Sequence, residues 1–513
     1  MSKNKILKNI YSLSLAEFAT KGLVFFINAY LARILGVEGY GTVATINSIL
    51  VYFLIFVNLG FHTVGIRTIA QMMGIDANDI DKNDDDIKKN CEKIQVKNRH
   101  SSDYINNVIT LRIMLAIISY GGLLVYALFI NDSSLIKIAL IIGGLQFFAE
   151  AFGLVWFYIG VERMEIVALR HTLVSAVTLV CLFLFVKSPE DIPIYILIVS
   201  ISILLNNLWL VIMYAKQYAK IKLQIQLEYW KKLLKESSTV AIPSLIMAVM
   251  TTFSILFLAR FVGEYETGLF SAAFKLLTFC YIPAFVIQVS FSPTISKATT
   301  LKERIEATSK YSKIIAILGS IVATVILFFP DVCTVIVSGD KFLGSIPILQ
   351  ILMINCFVGY YNLSVAPVLL FWKLEKKSVY AYSIAVLACI GLNILLIQLF
   401  TVGDIGDKYW NGGVGAAFAT LGAELVLAIS VSYFFFKEIK KLYLSIFLKL
   451  IALGLLSGFI GKSVLHLANL HDIYFQFIGI LITLISFIFL MLRFKIIDLR
   501  DIKKLIGKST NDK

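Results

Sequence analysis

Charge is scarce in this chain. Only 16% of its 513 residues are Asp, Glu, Lys or Arg, where a soluble domain carries roughly 25%. Proline is sparse as well, at 8 residues, so long helices would meet few breakers. The six cysteines (Cys91, Cys181, Cys280, Cys333, Cys356 and Cys389) are scattered, with no C-x-x-C pair. Neither a disulfide framework nor a zinc site follows from that spacing. Motifs for bond chemistry are missing too. There is no G-x-x-x-x-G-K-S/T loop for ATP, no H-E-x-x-H and no G-x-S-x-G. The run from Gly413 through Gly415 meets Phe418 where a dinucleotide fingerprint needs Gly or Ala.

What the sequence has instead is apolar length. Hydrophobic residues make up 58% of the chain and its mean hydropathy is +0.84. A bilayer core near 30 Å takes about 20 helical residues to cross, and apolar runs of that size recur throughout. A closed barrel would instead show short alternating strands. The expected fold is an all-α integral membrane protein of about fourteen transmembrane helices. The spans are expected at about 10–32, 40–66, 105–130, 134–160, 165–186, 193–215, 238–261, 268–292, 311–330, 346–371, 379–400, 412–436, 443–466 and 473–493. The basic start, Met1 to Lys5, precedes an apolar run that holds Glu17 and Lys21. That run is too long for a signal-peptide core, so an uncleaved first span is expected.

The net charge of +14 raises nucleic acid as a partner, but the placement of the charges points to membrane orientation. Lys216, Lys220, Lys222, Lys231, Lys232 and Lys235 follow the sixth expected span, and Lys297, Lys302, Arg304, Lys310 and Lys313 the eighth. Lys373, Lys376 and Lys377 follow the tenth, and Lys437, Lys440 and Lys441 the twelfth. The odd-to-even connections are poor in Lys and Arg, which sets the even-to-odd ones and both termini in the cytoplasm. One inner segment, 76–103, is unusually polar, with Asp84, Asp85 and Asp86 among mixed charges; it reads as a solvated insertion.

A shift of 227 residues reveals an internal repeat. Leu31-Ala32-Arg33-Ile34-Leu35-Gly36 matches Leu258-Ala259-Arg260-Phe261-Val262-Gly263, with Gly41 and Gly268 beyond. The shift carries the first span onto the seventh, so both copies enter from the same side and the repeat is parallel. This predicts two six-helix lobes, 1–236 and 237–441, followed by two additional helices and a basic tail over 442–513. Repeated bundles that rock around a central site are the logic of a transporter.

At this point a resemblance appears, spread over most of the chain. It lies in Leu31 through Gly41, Asn58-Leu59-Gly60 with Gly65-Ile66-Arg67, Trp156 through Met164, Ser292-Pro293, Asn393, and Gly415 through Thr420 with Glu424. In these the chain resembles the bacterial oligosaccharide flippases of O-antigen and polysaccharide export, within the superfamily of multidrug extruders and the lipid II flippase. The resemblance implies translocation of an undecaprenyl-pyrophosphate-linked oligosaccharide between leaflets of the bacterial inner membrane, without bond chemistry. It implies a polysaccharide polymerase and glycosyltransferases as partners beside the membrane lipids, with no nucleic acid. No cofactor is expected; deep carboxylates would suit coupling to a proton or sodium gradient, or serve as partners for cations on other helices.

A pyrophosphate crossing hydrocarbon calls for cations in a wet cavity, so charges inside spans are informative. Each costs on the order of 2.5–3.5 kcal/mol at mid-bilayer unless it faces a cavity or a partner. Lys21 and Lys275 are candidate phosphate ligands, the former paired at i,i+4 with Glu17 or simply neutralised by it. Arg112 and Arg170 are candidates for bidentate phosphate capture, or helix anchors. Arg33 and Arg260, at repeat-related helix ends, are candidates that interfacial snorkelling also explains. Glu17, Glu150 and Glu424 are candidate ion-coupling carboxylates, or partners for buried cations. Pro243, Pro283 and Pro367 fall inside spans and Pro293 near an end, where each would bend a helix. Trp156, Trp209, Trp372 and Trp410 read as an interfacial belt.

Two other classes compete. A membrane polysaccharide polymerase would need a large outer loop, and the longest outer connection expected is about 331–345. A drug or cation antiporter of the same superfamily would use twelve spans and an acidic cavity. The lipid II flippase shares the fourteen-span plan.

Overall fold

The computed structural model describes residues 3–73, 84–130, 133–372, 374–402, 411–468 and 472–496. Side chains are described from Lys21 onward, except at 73, 84–100, 168, 239, 402 and 473. Among the described residues the secondary structure is entirely helical. Thirteen helical segments among the described residues are long and apolar enough to span a bilayer. The first of them runs 52 residues, Lys21–Met72, about 78 Å at 1.5 Å per residue. That is far more than one crossing needs, and it is broken at Gly36, which gives the expected total of about fourteen crossings.

The chain divides into two compact units, Met1–Thr252 and Phe253–Lys513. The first holds α1 (Lys3–Asn58), α2 (Phe61–Met73), α3 (Asp84–Phe129), α4 (Ser134–Gly143), α5 (Leu145–Ala151), α6 (Val155–Gly160), α7 (Met164–Phe185) and α8 (Ile192–Gln217). The division falls inside α9 (Leu227–Phe261). The second unit continues with α10 (Glu264–Cys280), α11 (Ile282–Lys297), α12 (Leu301–Phe328), α13 (Pro330–Val337), α14 (Ile346–Phe371), α15 (Glu375–Val402), α16 (Gly412–Ile439), α17 (Leu444–Leu467) and α18 (Ile473–Arg493).

The repeat is visible in the backbone. Gly36 has φ 69° and ψ −175°, and its counterpart Gly263 has φ 127° and ψ 173°. Both sit in the left-handed half of the map with extended ψ, a region closed to residues with a Cβ. Each therefore ends one helix and aims the next. Outside these turns the apolar surface stays uncovered: Leu128, Phe129, Leu387 and Ile429 are all more than 70% exposed. Such faces need a hydrocarbon solvent.

Four expected spans differ from the structure in an informative way. The segment 40–66 is interrupted at Leu59 (φ 31°) and Gly60 (φ 76°). The segment 134–160 is interrupted at Gly144 and again over Phe152–Leu154. The ninth span begins at Leu301 instead of 311, because Thr300 and Glu303 form a reciprocal capping box that admits a polar first turn. Pro283 starts a new helix, α11, at its first turn instead of bending a continuous one.

Trp156 and Trp372 correct the interfacial reading. They are only 2% and 7% exposed and belong to the interior. Trp209 is exposed, and Trp410 lies outside the described residues.

In the second unit the small residues of α16 permit close packing. A Cβ on Gly415 would come within 2.6 Å of the Leu396 carbonyl oxygen on α15, and Ala416, Ala417 and Ala419 are fully buried. Tyr443, just before α17, donates to the Ile305 carbonyl of α12 at 2.9 Å, tying the last two helices to this unit.

Candidate functional site

The helix breaks of the first unit surround one cavity of about 670 Å³. Non-helical backbone at membrane depth persists only where protein or a water-filled cavity takes up its polar groups. Here side chains take them up. Arg112 on α3 donates from one terminal nitrogen to the Gly153 carbonyl at 3.0 Å and from the other to Asn58 Oδ1 at 2.6 Å. Trp156 Nε1–H donates to the same Gly153 carbonyl at 2.8 Å. Asn207 on α8 donates to the Ala149 carbonyl at 2.9 Å. The carbonyls released between α5 and α6 are thus held by three side chains from three helices.

Asn58-Leu59-Gly60 forms the facing wall. Gly60 is required there, because a Cβ would lie 2.6 Å from the Ser237 carbonyl oxygen of α9 and the backbone φ is +76°. Trp156 is seated just as closely, since a Cβ on Gly65 would fall 2.5 Å from its ring. Its edge-to-face partner is Tyr104, with ring centroids 5.9 Å apart.

Arg112 and Arg170 both line this cavity and are 4% and 3% exposed. Arg170 on α7 donates to the Asn206 carbonyl at 2.6 Å. Glu150, also in the lining, approaches Arg112 at 3.9 Å and lies within electrostatic reach of Arg170. Both arginines keep a buried Nε–H with no acceptor among the described residues. Two guanidinium groups therefore share one carboxylate, and the wall carries a surplus of positive charge and of planar donors. Such donors match phosphate geometry two at a time.

Of the residues singled out from sequence, the structure brings together Arg112, Glu150 and Arg170. Lys21 is half-buried on α1 and is not part of this wall, and the side chain of Glu17 lies outside the described residues. Arg33 is exposed. Arg260 is exposed as well, with its guanidinium 5.9 Å from the Phe261 ring. Sequence reasoning missed His62, His171, Asn206 and Asn207, all of which line the cavity. The signal was present, since Asn206-Asn207 interrupts an apolar run and His171 adjoins Arg170.

The second unit has a different polar centre. Glu424 on α16 is half-buried and accepts from Asn362 Nδ2 of α14 at 2.5 Å. The same amide also donates to the Glu424 carbonyl at 3.0 Å. Tyr281, Tyr382 and Cys389 are within electrostatic reach of its carboxylate. No Lys or Arg pairs with Glu424 among the described residues. Lys275 on α10 is exposed and makes no ion pair among them. No cluster of three or more His, Cys, Asp or Glu suited to a metal occurs among the described residues.

The fold is that of a multi-pass helical membrane protein, and the comparisons with known proteins agree. Residues 6–299, more than half of the chain, match the family described as "Polysaccharide biosynthesis protein". The chain belongs to that family. It is 23% identical over 427 residues to a Shigella dysenteriae protein named "Putative O-antigen transporter", covering 82% of this chain and 98% of that one. Its fold is shared with a lipid II flippase, MurJ, in an inward closed conformation (TM-score 0.64, 16% identity, 94% of this chain and 98% of the other). An inward-facing multidrug transporter of the MATE family, in the MOP superfamily, has the same fold at TM-score 0.59, with 13% identity over 84% of this chain and 96% of its own.

Proposed function

We propose that this protein is a flippase for undecaprenyl-pyrophosphate-linked oligosaccharide. In this reading it carries repeat units from the cytoplasmic to the periplasmic leaflet of the bacterial inner membrane for surface polysaccharide assembly. The observation that carries the reading is the pair of buried arginines, Arg112 and Arg170, converging with Glu150 on one cavity walled by broken helices. A pyrophosphate entering there would replace Glu150 as the partner of the guanidinium groups, offsetting its own desolvation. The sugars would meet the amides and imidazoles of Asn58, Asn206, Asn207, His62 and His171, while the lipid tail stays in the bilayer. No bond is made or broken.

In this mechanism the two six-helix repeats open to each leaflet in turn. Glu424, which no cation neutralises among the described residues, is the group assigned to exchange a proton or sodium ion during the return. Lys21, Lys275, Arg33 and Arg260 remain assigned to the substrate path, where their charge would guide the pyrophosphate before or after the buried site. The basic even-to-odd connections support cytoplasmic termini. A polymerase and glycosyltransferases would work on either side of this step.

The test uses a strain lacking this gene with polymerase and ligase intact. Undecaprenyl-linked oligosaccharide is assigned to a leaflet with a membrane-impermeant probe on spheroplasts. The proposal expects single repeat units to accumulate on the cytoplasmic leaflet. Single units that reach the periplasmic face and stay unpolymerised would refute it in favour of a polymerase. Accumulation of peptidoglycan precursor instead would refute it in favour of lipid II transport.

A further inference from the structure

We infer that the second unit carries a binding site for an anionic phospholipid in the groove between α16 and α17. The groove encloses about 540 Å³. Its α16 wall is the stripe Leu425, Ala428, Ile429, Ser432, Tyr433 and Phe436, which recurs at helical spacing on one face. Eleven residues separate its ends, about 16 Å of helix at 1.5 Å per residue. That equals the hydrocarbon depth of one leaflet, half of a core near 30 Å.

The floor presents no free polar group to a tail. Phe357, Tyr361 and Phe447 are buried there. The Tyr361 hydroxyl and the Ser432 hydroxyl, the polar atoms closest to hand, bond each other at 2.6 Å. The walls, by contrast, are open: Ile429 is 71% exposed and Leu448 56%.

One end of the groove is cationic. Leu442 and Leu444, which line it, lie in the short turn that joins α16 to α17 and at the first position of α17. Lys440 ends α16 in a left-handed conformation, φ 53° and ψ 23°, so the chain reverses at once, with Lys437, Lys440 and Lys441 flanking the turn that carries Leu442. Their ammonium groups lie over rings: Lys437 is 4.4 Å from the Tyr433 centroid, Lys440 5.9 Å from Phe436 and Lys441 5.6 Å from Tyr443. The acidic residue of this segment, Glu438, is already engaged by Lys377 of α15, so it does not neutralise them. Three cations at the head and one leaflet of apolar groove below are complementary to a negatively charged phospholipid. A polyprenyl chain would be several-fold longer than the groove. The site is independent of what the first unit transports, and its occupant would stay bound while substrate passes.

The test uses the full chain purified in detergent and incubated with equal amounts of phosphatidylglycerol and phosphatidylethanolamine, with retained lipids counted by native mass spectrometry. Wild type is expected to retain phosphatidylglycerol preferentially. Each lysine near an anionic lipid surface is worth roughly a fivefold preference, so Lys437→Gln, Lys440→Gln and Lys441→Gln combined should lower it at least about tenfold. A control with Lys297→Gln, Lys302→Gln and Lys310→Gln, an equal loss of charge elsewhere, should leave it unchanged. Ala428→Trp, which fills the groove, should abolish retention of either lipid. Equal retention of both lipids by wild type overturns the proposal whether or not the variants fold. So does an equal loss in the control, or displacement of the lipid by a polyprenyl phosphate at equal concentration.

Discussion

In the first unit, helix breaks gather two guanidinium groups around one carboxylate; in the second, the deep carboxylate Glu424 is met by an amide. The units share a repeat, down to the positive φ of Gly36 and Gly263 and the exposed helix-end pair Arg33 and Arg260, yet the charges deeper in the spans do not repeat. The 227-residue shift that pairs those glycines sets Lys275 against Ser48 and Glu17 against Ser244. The scaffold is thus duplicated and the chemistry is divided. A cation inside a membrane protein needs acceptors at fixed positions, and the first unit supplies them by interrupting α1 at Asn58 and by separating α5 from α6. The second unit keeps α14 and α16 continuous, and the carboxylate proposed to exchange a proton or ion meets one amide donor there and no permanent counter-ion among the described residues.

The sharpest way to break this comparison is Arg112→Ala. It leaves Glu150 without its closest cation and the Gly153 carbonyl and Asn58 amide short of a donor, at a cost of about 3 kcal/mol. Thermal unfolding in detergent should show it, together with loss of surface polysaccharide in the complemented strain. Arg112→Lys should regain much of the stability and little of the transport, because an ammonium lacks the planar fork. Next in size is Gly60→Ala, at about 2 kcal/mol, from the positive φ and the clash with the Ser237 carbonyl; the same assay reads it. Glu424→Gln should change stability by less than about 1 kcal/mol, since a Gln oxygen still accepts from Asn362. Transport by that variant should lose its dependence on an imposed proton or sodium gradient, measured as flipping rate with and without the gradient. Smallest is Lys275→Ala, an exposed site expected to stay within about 0.5 kcal/mol of wild type. A loss as large as that of Arg112→Ala would erase the contrast between the units.

The fold was legible because hydrocarbon makes composition decisive: apolar runs, basic connections and the Gly36/Gly263 repeat all constrain it independently. The site was legible only in part. Arg112, Arg170 and Glu150 stood out because full charges are rare in spans. His62, Asn206 and Asn207 did not, because a neutral polar residue in a helix reads equally well as a packing contact. The breaks at Leu59–Gly60 and Phe152–Leu154 were hidden for a physical reason. Hydropathy averages over a span, and these residues are as apolar as their neighbours. The role of Trp156 was misread because an aromatic near an expected span end has the same pattern whether it meets headgroups or, as here, packs on a glycine.

The arginine cavity of the first unit is proposed to move a pyrophosphate-linked glycolipid across the bilayer. The most direct test is reconstitution of the purified chain in liposomes that carry a fluorescent polyprenyl-pyrophosphate oligosaccharide, with leaflet exchange followed by an impermeant quencher. Wild type should exchange the lipid at least about tenfold faster than Arg170→Ala, the loss expected when a charged hydrogen-bonding partner worth 1.5–3 kcal/mol is removed. Equal rates for wild type, Arg112→Lys and Arg170→Ala, with all three folded, would contradict the account.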